Sequence, residues 1–576
     1  MTALALLLAL SASEEDAKLE KFFRAYLDKL CEQRPADATR LGRHDFDHRL
    51  DDLSPEGLTA RDALDRETLA ALRKGIDQKK LSAEGRTDFD ILEHSLKYGQ
   101  WMAENARTWE TNPLVYNEIV SDSVYLLFTQ STEPKARNVR HAAQRIAHIP
   151  RVLEAAKRTL KDPPRIYTET ALARAKGAVA FFSSGIWEAS GENPATSELK
   201  KPSEAAVKAL KGYQAWLEKE LLPRSKGEWR IGKAKFTRKL DLELDAGVTA
   251  AQVLKDAEAE ADRVTREMYT VSRQLWHKCY PKGALPADDE EGRRETVLRV
   301  LAHTNKEHGK VEGLLGEAKE LSARIRKFIK DKDILRLPDP DRCRIIEMPE
   351  FQRGYSVAYL NPAPPLDPKA SSHYAISPPP AGWDARKVES FLQEYNRAMM
   401  SILTIHEAYP GHYVQLEYSN RHPSFLRRVL QSGVFSEGWA VYTEQMMLDQ
   451  GYGDGDLVLR LNQLKFYLRA VINAILDHKM HCGDMSDKEA MELLVGRGFQ
   501  SEGEALGKVV RAKLQSCQLS TYFVGRMAFY RLRQKTQREL GDKFDLGRFH
   551  EAVLCHGSPP VKHLPALVAE RLKKAR

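Results

Sequence analysis

Two histidines flank a glutamate in the segment H-E-A-Y-P-G-H at residues 406–412. An imidazole pair beside a carboxylate is how a zinc hydrolase takes two metal ligands and a general base from one short segment. In the common H-E-x-x-H pattern the histidines are four residues apart on one helix face, whereas His406 and His412 are six apart, roughly 240° around an ideal helix. A regular helix would therefore point the two rings to different sides.

Pro410 and Gly411 predict a break in that helix. Pro410 has no amide hydrogen to donate to the carbonyl of His406, and Gly411 tolerates backbone angles that other residues resist. A bend here would bring both imidazoles to one ion. The alternative interpretation is two surface histidines on a helix that ends at a proline.

A second acidic segment follows at residues 434–444. Ser436 is a good N-cap, which predicts that Glu437 lies in the first turn of a new helix, with Glu444 seven residues later on the same face. Glu437 would complete a His-His-Glu zinc site, and Glu444 is either an alternative ligand or an acceptor that fixes a histidine tautomer. Gly438 would let another backbone or a ligand come close. The alternative is that both acids only stabilise the helix dipole.

Several segments together resemble one protein family: H-E-A-Y-P-G-H at 406–412, S-E-G-W-A-V-Y-T-E at 436–444, Q-L-S-T-Y-F-V-G at 518–525, F-H-E-A-V-L at 549–554 and A-T-R-L-G-R-H-D-F-D at 38–47. The chain resembles the bacterial domain-of-unknown-function family 885 (DUF885) from about Lys18 to its C-terminus. That family is regarded as zinc metallopeptidases that are largely helical and often exported.

The S-E-G-W-A stretch also resembles the segment that supplies the glutamate ligand in the broader gluzincin peptidases. The resemblance implies that His406, His412 and Glu437 bind one zinc ion and that Glu407 is the general base. It also implies a peptide substrate, without indicating its length or sequence.

Tyr522, His550 and His481 are candidates for stabilising an oxyanion, a role in which a phenol or imidazole donor contributes about 3 kcal/mol. Each could equally be an ordinary core or surface residue. In the expected reaction zinc lowers the pKa of its water towards ~7, and Glu407 takes a proton and returns it to the leaving amine. Two other functions stay open: a zinc amidase or esterase that does not act on peptides, and a helical binding protein with a vestigial site.

Length and composition predict a mainly α fold. With 576 residues, 42% hydrophobic and 30% charged, we expect one helical domain over residues 14–576, with two lobes around a catalytic cleft. The scaffold lobe would span about 14–340 and the catalytic lobe about 341–576. The net charge of +8 is the difference between 89 basic and 81 acidic residues spread along the chain, which argues against nucleic-acid binding.

The predicted elements around the histidines include a small β-hairpin. Residues 353–360 and 373–377 are expected to be its strands, and its edge would either pair with a peptide or only pack on the helices. Asp384 is a plausible N-cap for a helix whose apolar stripe leads to His406, and another helix is expected from Leu457 to about Met480.

Residues 1–13 form an apolar run that ends in small residues, as in a secretory signal, although no Lys or Arg precedes it. We expect export to the periplasm or the extracellular space, with the cytoplasm as the alternative. No later stretch approaches the ~18 apolar residues needed to span a bilayer, so we expect no stable membrane insertion. The six cysteines form no C-x-x-C pair and do not indicate a disulfide scaffold.

Overall fold

The computed structural model describes residues 13–348 and 358–574, so the predicted signal segment lies outside the described residues except for Ser13. The mainly α prediction is confirmed. The elements, in chain order, are α1 Glu14–Gln33, α2 Pro35–Leu41, α3 Pro55–Gly75, α4 Ala83–Asn105, α5 Thr108–Thr111, α6 Leu114–Thr129, α7 Lys135–Thr159, α8 Arg165–Ala180, α9 Ile186–Ser190, α10 Lys200–Trp216, α11 Leu222–Arg224, α12 Gly232–Leu244, α13 Ala250–Cys279, α14 Glu290–Thr304, α15 Leu314–Asp331, β1 Cys343–Glu347, β2 Ala358–Asn361, β3 Ser372–Ile376, α16 Ala385–Glu394, α17 Arg397–Glu407, α18 His412–Asn420, α19 Phe425–Val429, α20 Gly433–Asp449, α21 Leu457–Cys482, α22 Asp487–Met491, α23 Glu502–Leu514, α24 Thr521–Leu540, α25 Leu546–Leu554 and α26 Leu564–Lys574.

The chain forms two compact units. The first contains the chain up to Trp229 together with Ala363–Ala370 and His422–Leu430, and the second contains Arg230–Pro362, Ser371–Arg421 and Gln431–Arg576. The second unit therefore includes residues 230–340, which the sequence analysis placed in the scaffold lobe.

The first unit is built from capped amphipathic helices. Ser13, Ser54 and Ser82 accept hydrogen bonds from backbone amides at the starts of α1, α3 and α4, which satisfies donors that a helix leaves unpaired. The buried face of α1, including Phe23, packs into an apolar core that also contains Leu426 from α19.

The second unit holds every candidate site residue. Its centre is a group of buried helices in which α20 packs against α17 and α24, while α21 packs against α13 and α17. The predicted helix beginning at Leu457 is confirmed as α21, and its expected inward positions are all buried: Leu461, Leu464, Leu468, Val471, Ile475 and Leu476.

The expected hairpin is present as β2 and β3, which pair antiparallel; the start of its predicted first strand, 353–357, lies outside the described residues. No sequence pattern predicted β1, which pairs parallel with β3, so the sheet order is β1-β3-β2. Among the described residues β2 is thus an edge strand.

Asp384 and Ser436 were both predicted to be N-caps, and only Asp384 is one. Asp384 does cap α16, but that helix ends at Glu394, and Asn396 caps a separate α17 that carries His406. The prediction of Ser436 as an N-cap is wrong: Ser432 caps α20, and Ser436 lies one turn inside it.

Candidate metal centre

The chain bends sharply between the two histidines. Helix α17 ends at Glu407 and α18 begins at His412, so the predicted break is confirmed. Gly411 is needed for space, since a Cβ atom there would lie 1.9 Å from the carbonyl oxygen of His406. The indole of Trp439, from α20, donates to the carbonyl oxygen of Pro410 at 2.8 Å and holds the bend in place.

The bend brings His406 and His412 together with Glu437. The Nε2 atoms of His406 and His412 lie 4.0 and 3.5 Å from Oε2 of Glu437, and the three possible ligand atoms are all within 4.8 Å of one another. Two donors held ~2.1 Å from one tetrahedral ion are about 3.4 Å apart, so a small contraction would fit zinc between them. The two rings are nearly perpendicular, with centroids 4.7 Å apart.

Glu444 contacts the opposite side of the His406 ring. Its Oε1 lies 2.7 Å from Nδ1 of His406, and its side chain is fully buried. Because this contact uses Nδ1 of His406, the Nε2 atom of the same ring is left to face His412 and Glu437. Of the two roles the sequence left open for Glu444, the geometry favours the acceptor that fixes the tautomer.

Glu407 lies beside this cluster and is held by the sheet. Its Oε2 accepts a hydrogen bond of 2.9 Å from the backbone amide of Leu360 in β2. That amide therefore points away from β3. Burial raises the pKa of Glu407 to about 7, the neighbouring Glu437 acts in the same direction, and His412 acts against it.

The histidines differ in their electrostatics. Burial lowers the pKa of His406 to about 3, and repulsion from His412 adds to this. Burial also disfavours the charged form of His412, but the adjacent Glu437 carboxylate outweighs it and raises that pKa. Burial acts to raise the pKa of Glu437, but it is lowered overall by its hydrogen bond to His412.

Tyr522 is the predicted oxyanion donor that lies near the cluster. Its hydroxyl is close enough to Glu437 to help lower the pKa of that carboxyl, and it accepts a hydrogen bond from Arg511 at 3.1 Å.

Glu437 and Tyr522 lie on two helices, α20 and α24, whose backbones cross closely. A Cβ atom on Gly438 of α20 would lie 2.3 Å from the Cα atom of Gly525 in α24. The prediction that Gly438 permits a close backbone approach is confirmed.

His550 and His481 have hydrogen-bond partners outside the cluster, and their role as oxyanion donors stays a prediction. His550 is fully buried, and its two ring nitrogens bond to the hydroxyl of Tyr442 and the carbonyl of Ile334. His481 bonds to the carbonyl of Ala512 and lies fifteen residues beyond Phe466, whose ring contacts that of His406, so it is about 22 Å further along α21.

Sequence reasoning missed a group of side chains on α21 and α23 beside the cluster. The ring of Phe466 lies 5.7 Å from that of His406, and the guanidinium of Arg469 stands 5.2 Å from the Phe466 ring. Lys508 and Arg511 belong to the same region. The only available signal was weak, since basic residues three apart on a helix are usually a solvated face.

Two solved structures resemble this chain. One is described as a candidate lipoprotein of unknown function from Shewanella oneidensis; it is 29% identical, with a TM-score of 0.81 over 96% of this chain and 99% of that one. The other is a candidate lipoprotein from Colwellia psychrerythraea, which is 19% identical and has a TM-score of 0.78 over 97% of this chain and 99% of that one. At this identity the similarity shows that the two proteins have the same fold.

No curated protein matches the chain. In the described parts of the chain, none of the helices combines the length and the apolar character needed to cross a membrane. The family model for bacterial proteins of unknown function DUF885 matches residues 35–568. The chain therefore belongs to the DUF885 family.

Proposed function

We propose that this protein is a zinc-dependent hydrolase that cleaves peptide bonds, with Glu407 as the general base. The observation that carries the proposal is the convergence of His406, His412 and Glu437, whose ligand atoms lie within 4.8 Å of one another, next to Glu407. Two imidazoles and one carboxylate are a ligand set of catalytic zinc sites, which keep a further position open.

Zinc held by these residues would supply a Lewis acid for the substrate carbonyl and lower the pKa of a water molecule. Glu407 is suited to move that water's proton, because a pKa near 7 lets it accept a proton and return it at neutral pH. The Leu360 amide orients the carboxylate for this task.

Tyr522 would stabilise negative charge on the substrate oxygen. Its hydroxyl accepts from Arg511 and faces Glu437, and in this role it would direct its own hydrogen to the substrate oxygen instead of to that carboxylate. An oxyanion donor of this kind is worth about 3 kcal/mol in the transition state. The Tyr522→Phe variant should therefore lower kcat with little change in zinc content.

Peptides are favoured over other amides because the S-E-G-W-A stretch at residues 436–440 resembles the segment that supplies the glutamate ligand in the gluzincin peptidases. Export is part of the proposal, since the two structural neighbours are described as candidate lipoproteins and residues 1–13 resemble a secretory signal.

The test combines metal analysis with cleavage of a peptide library. We expect one zinc ion per chain in the wild type and in Glu407→Gln, little zinc in His412→Ala, and peptide cleavage by the wild type alone. Cleavage of small amides or esters without any peptide cleavage would identify a non-peptidase hydrolase. Protein that stays metal-free after zinc is supplied would instead leave a binding protein with a vestigial site.

A further inference from the structure

Three basic side chains lie beside the candidate metal centre on two helices. Arg469 belongs to α21, and Lys508 and Arg511 are three residues apart on α23, hence on the same face. Lys508 is only 9% exposed, and the side chain of Arg469 is 17% exposed. These three residues are called the basic cluster below.

The acidic partners of the basic cluster are too few. Arg469 forms an ion pair with Glu504. Arg511 bonds only to neutral groups in the described residues, among them Gln518 at 2.7 Å and Tyr522 at 3.1 Å. Burying a cationic group without a paired counter-charge is costly.

Lys508 is the clearest case. Over residues 13–348 and 358–574 its ammonium group has neither a hydrogen-bond partner nor an ion-pair partner, although nine-tenths of the residue is buried. Burial lowers its pKa to about 7, and repulsion from Arg469 and Arg511 contributes, while Glu504 and Glu437 act weakly in the opposite direction. Among the described residues, Lys508 therefore has no counter-charge paired with it.

Two chains of contacts connect the cluster to the metal centre. Arg511 donates to the hydroxyl of Tyr522, which faces Glu437. Arg469 stands over the ring of Phe466, which lies against the ring of His406. The basic cluster is thus close enough to the metal centre for one substrate molecule to reach both.

We propose that Arg469, Lys508 and Arg511 form a subsite for a carboxylate of the substrate, an inference that rests on the proposed peptidase function. The planar fork of an arginine matches a carboxylate, and the ammonium of Lys508 adds three donors. Every unmodified peptide carries a carboxylate at its C-terminus, and acidic side chains carry the same group. A terminal carboxylate here would direct cleavage to bonds near the C-terminus.

The test measures peptide binding to zinc-loaded Glu407→Gln protein by calorimetry, which needs no turnover. Three matched peptides are used: one with a free C-terminal carboxylate, its C-terminal amide, and an amide with a glutamate near its end. We expect the free acid to bind at least tenfold more tightly than the plain amide. Tighter binding of the glutamate-containing amide would identify a side chain as the source of the carboxylate.

The same comparison in a Lys508→Met background should lose most of the acid preference. Lys488→Met is the matched control, because this substitution removes the same charge from a side chain that is 87% exposed. The subsite proposal would be overturned if the free-acid peptide and its amide bind equally, or if Lys508→Met keeps the full preference for the free acid. Cleavage of both peptides by the wild type would still support the peptidase proposal in that case. Failure of the wild type to cleave or bind any peptide would instead overturn the peptidase proposal.

Discussion

Replacing Glu444 with glutamine should weaken zinc binding without weakening the metal-free fold. Glu444 lies 2.7 Å from Nδ1 of His406 and is fully buried. Glutamine keeps an acceptor at that position but loses the charge. Hydrogen bonds to charged groups contribute about 1.5–3 kcal/mol, and loss of such a partner of a metal-bound histidine costs roughly 10–100-fold in affinity. Since each tenfold change is about 1.4 kcal/mol, the two magnitudes agree.

The metal-free protein should respond differently. Burial raises the pKa of Glu444 well above its ordinary value, which favours the neutral carboxyl in the metal-free protein, and glutamine resembles that neutral form. A carboxyl whose pKa is raised by folding contributes its stability at low pH and loses it as the pH rises through the folded-state pKa. Glu444→Gln should therefore leave the metal-free Tm unchanged at low pH and raise it in alkaline solution.

The assay is competition with a chelator for zinc affinity, together with the Tm with and without zinc. We expect a 10–100-fold weaker affinity and a zinc-induced stabilisation that is smaller by about 1.4–2.7 kcal/mol at equal zinc concentration. Glu417→Gln is the control, since Glu417 is also buried but bonds to Arg421 away from the cluster. Unchanged zinc affinity in Glu444→Gln, or equal loss in the control, would refute this role for Glu444.

Three further predictions concern the bend, the basic cluster and the metal. Gly411→Ala should lower zinc affinity while most of the fold stays intact by circular dichroism, because its Cβ would lie 1.9 Å from the His406 carbonyl oxygen and must displace one histidine. Lys508→Met should raise the Tm of the metal-free protein more at pH 6 than at pH 10. The lowering of the Lys508 pKa from 10.5 to about 7 makes charge burial costly below pH 7, by at most about 5 kcal/mol. Zinc removal by a chelator should lower the wild-type Tm and abolish cleavage, and added zinc should restore both; an unchanged Tm would contradict the proposed site.

The sequence predicted the bend at Pro410 and Gly411 but explained Gly411 incompletely. The argument from backbone freedom was general, whereas the structure shows a specific lack of space beside the His406 carbonyl. Similarly, Ser436 has the residue type of an N-cap, but Ser432 has it too and lies where the chain turns into α20. Residue type alone does not decide between two serines four positions apart.

The basic cluster could not be predicted, because its members lie about forty residues apart on two helices and each resembles a surface residue in its own segment. Only the packing of α21 and α23 buries Lys508 beside Arg469. His550 and His481 illustrate the converse. Their residue type suits catalysis, but local bonds to Tyr442 and to the carbonyl of Ala512 assign them to the core.

The crossing of α20 and α24 explains why separate segments of the chain meet at one site. Glu437 directly precedes Gly438, and Tyr522 lies three residues before Gly525, so both side chains are fixed by the contact between those two glycines. Because this contact is between backbones, side-chain repacking cannot absorb a change in it. The distance from the Glu437 carboxylate to the Tyr522 hydroxyl is thus set by the helix crossing. The same crossing positions Arg511 through its bond to Tyr522, which joins the proposed carboxylate subsite to the metal centre.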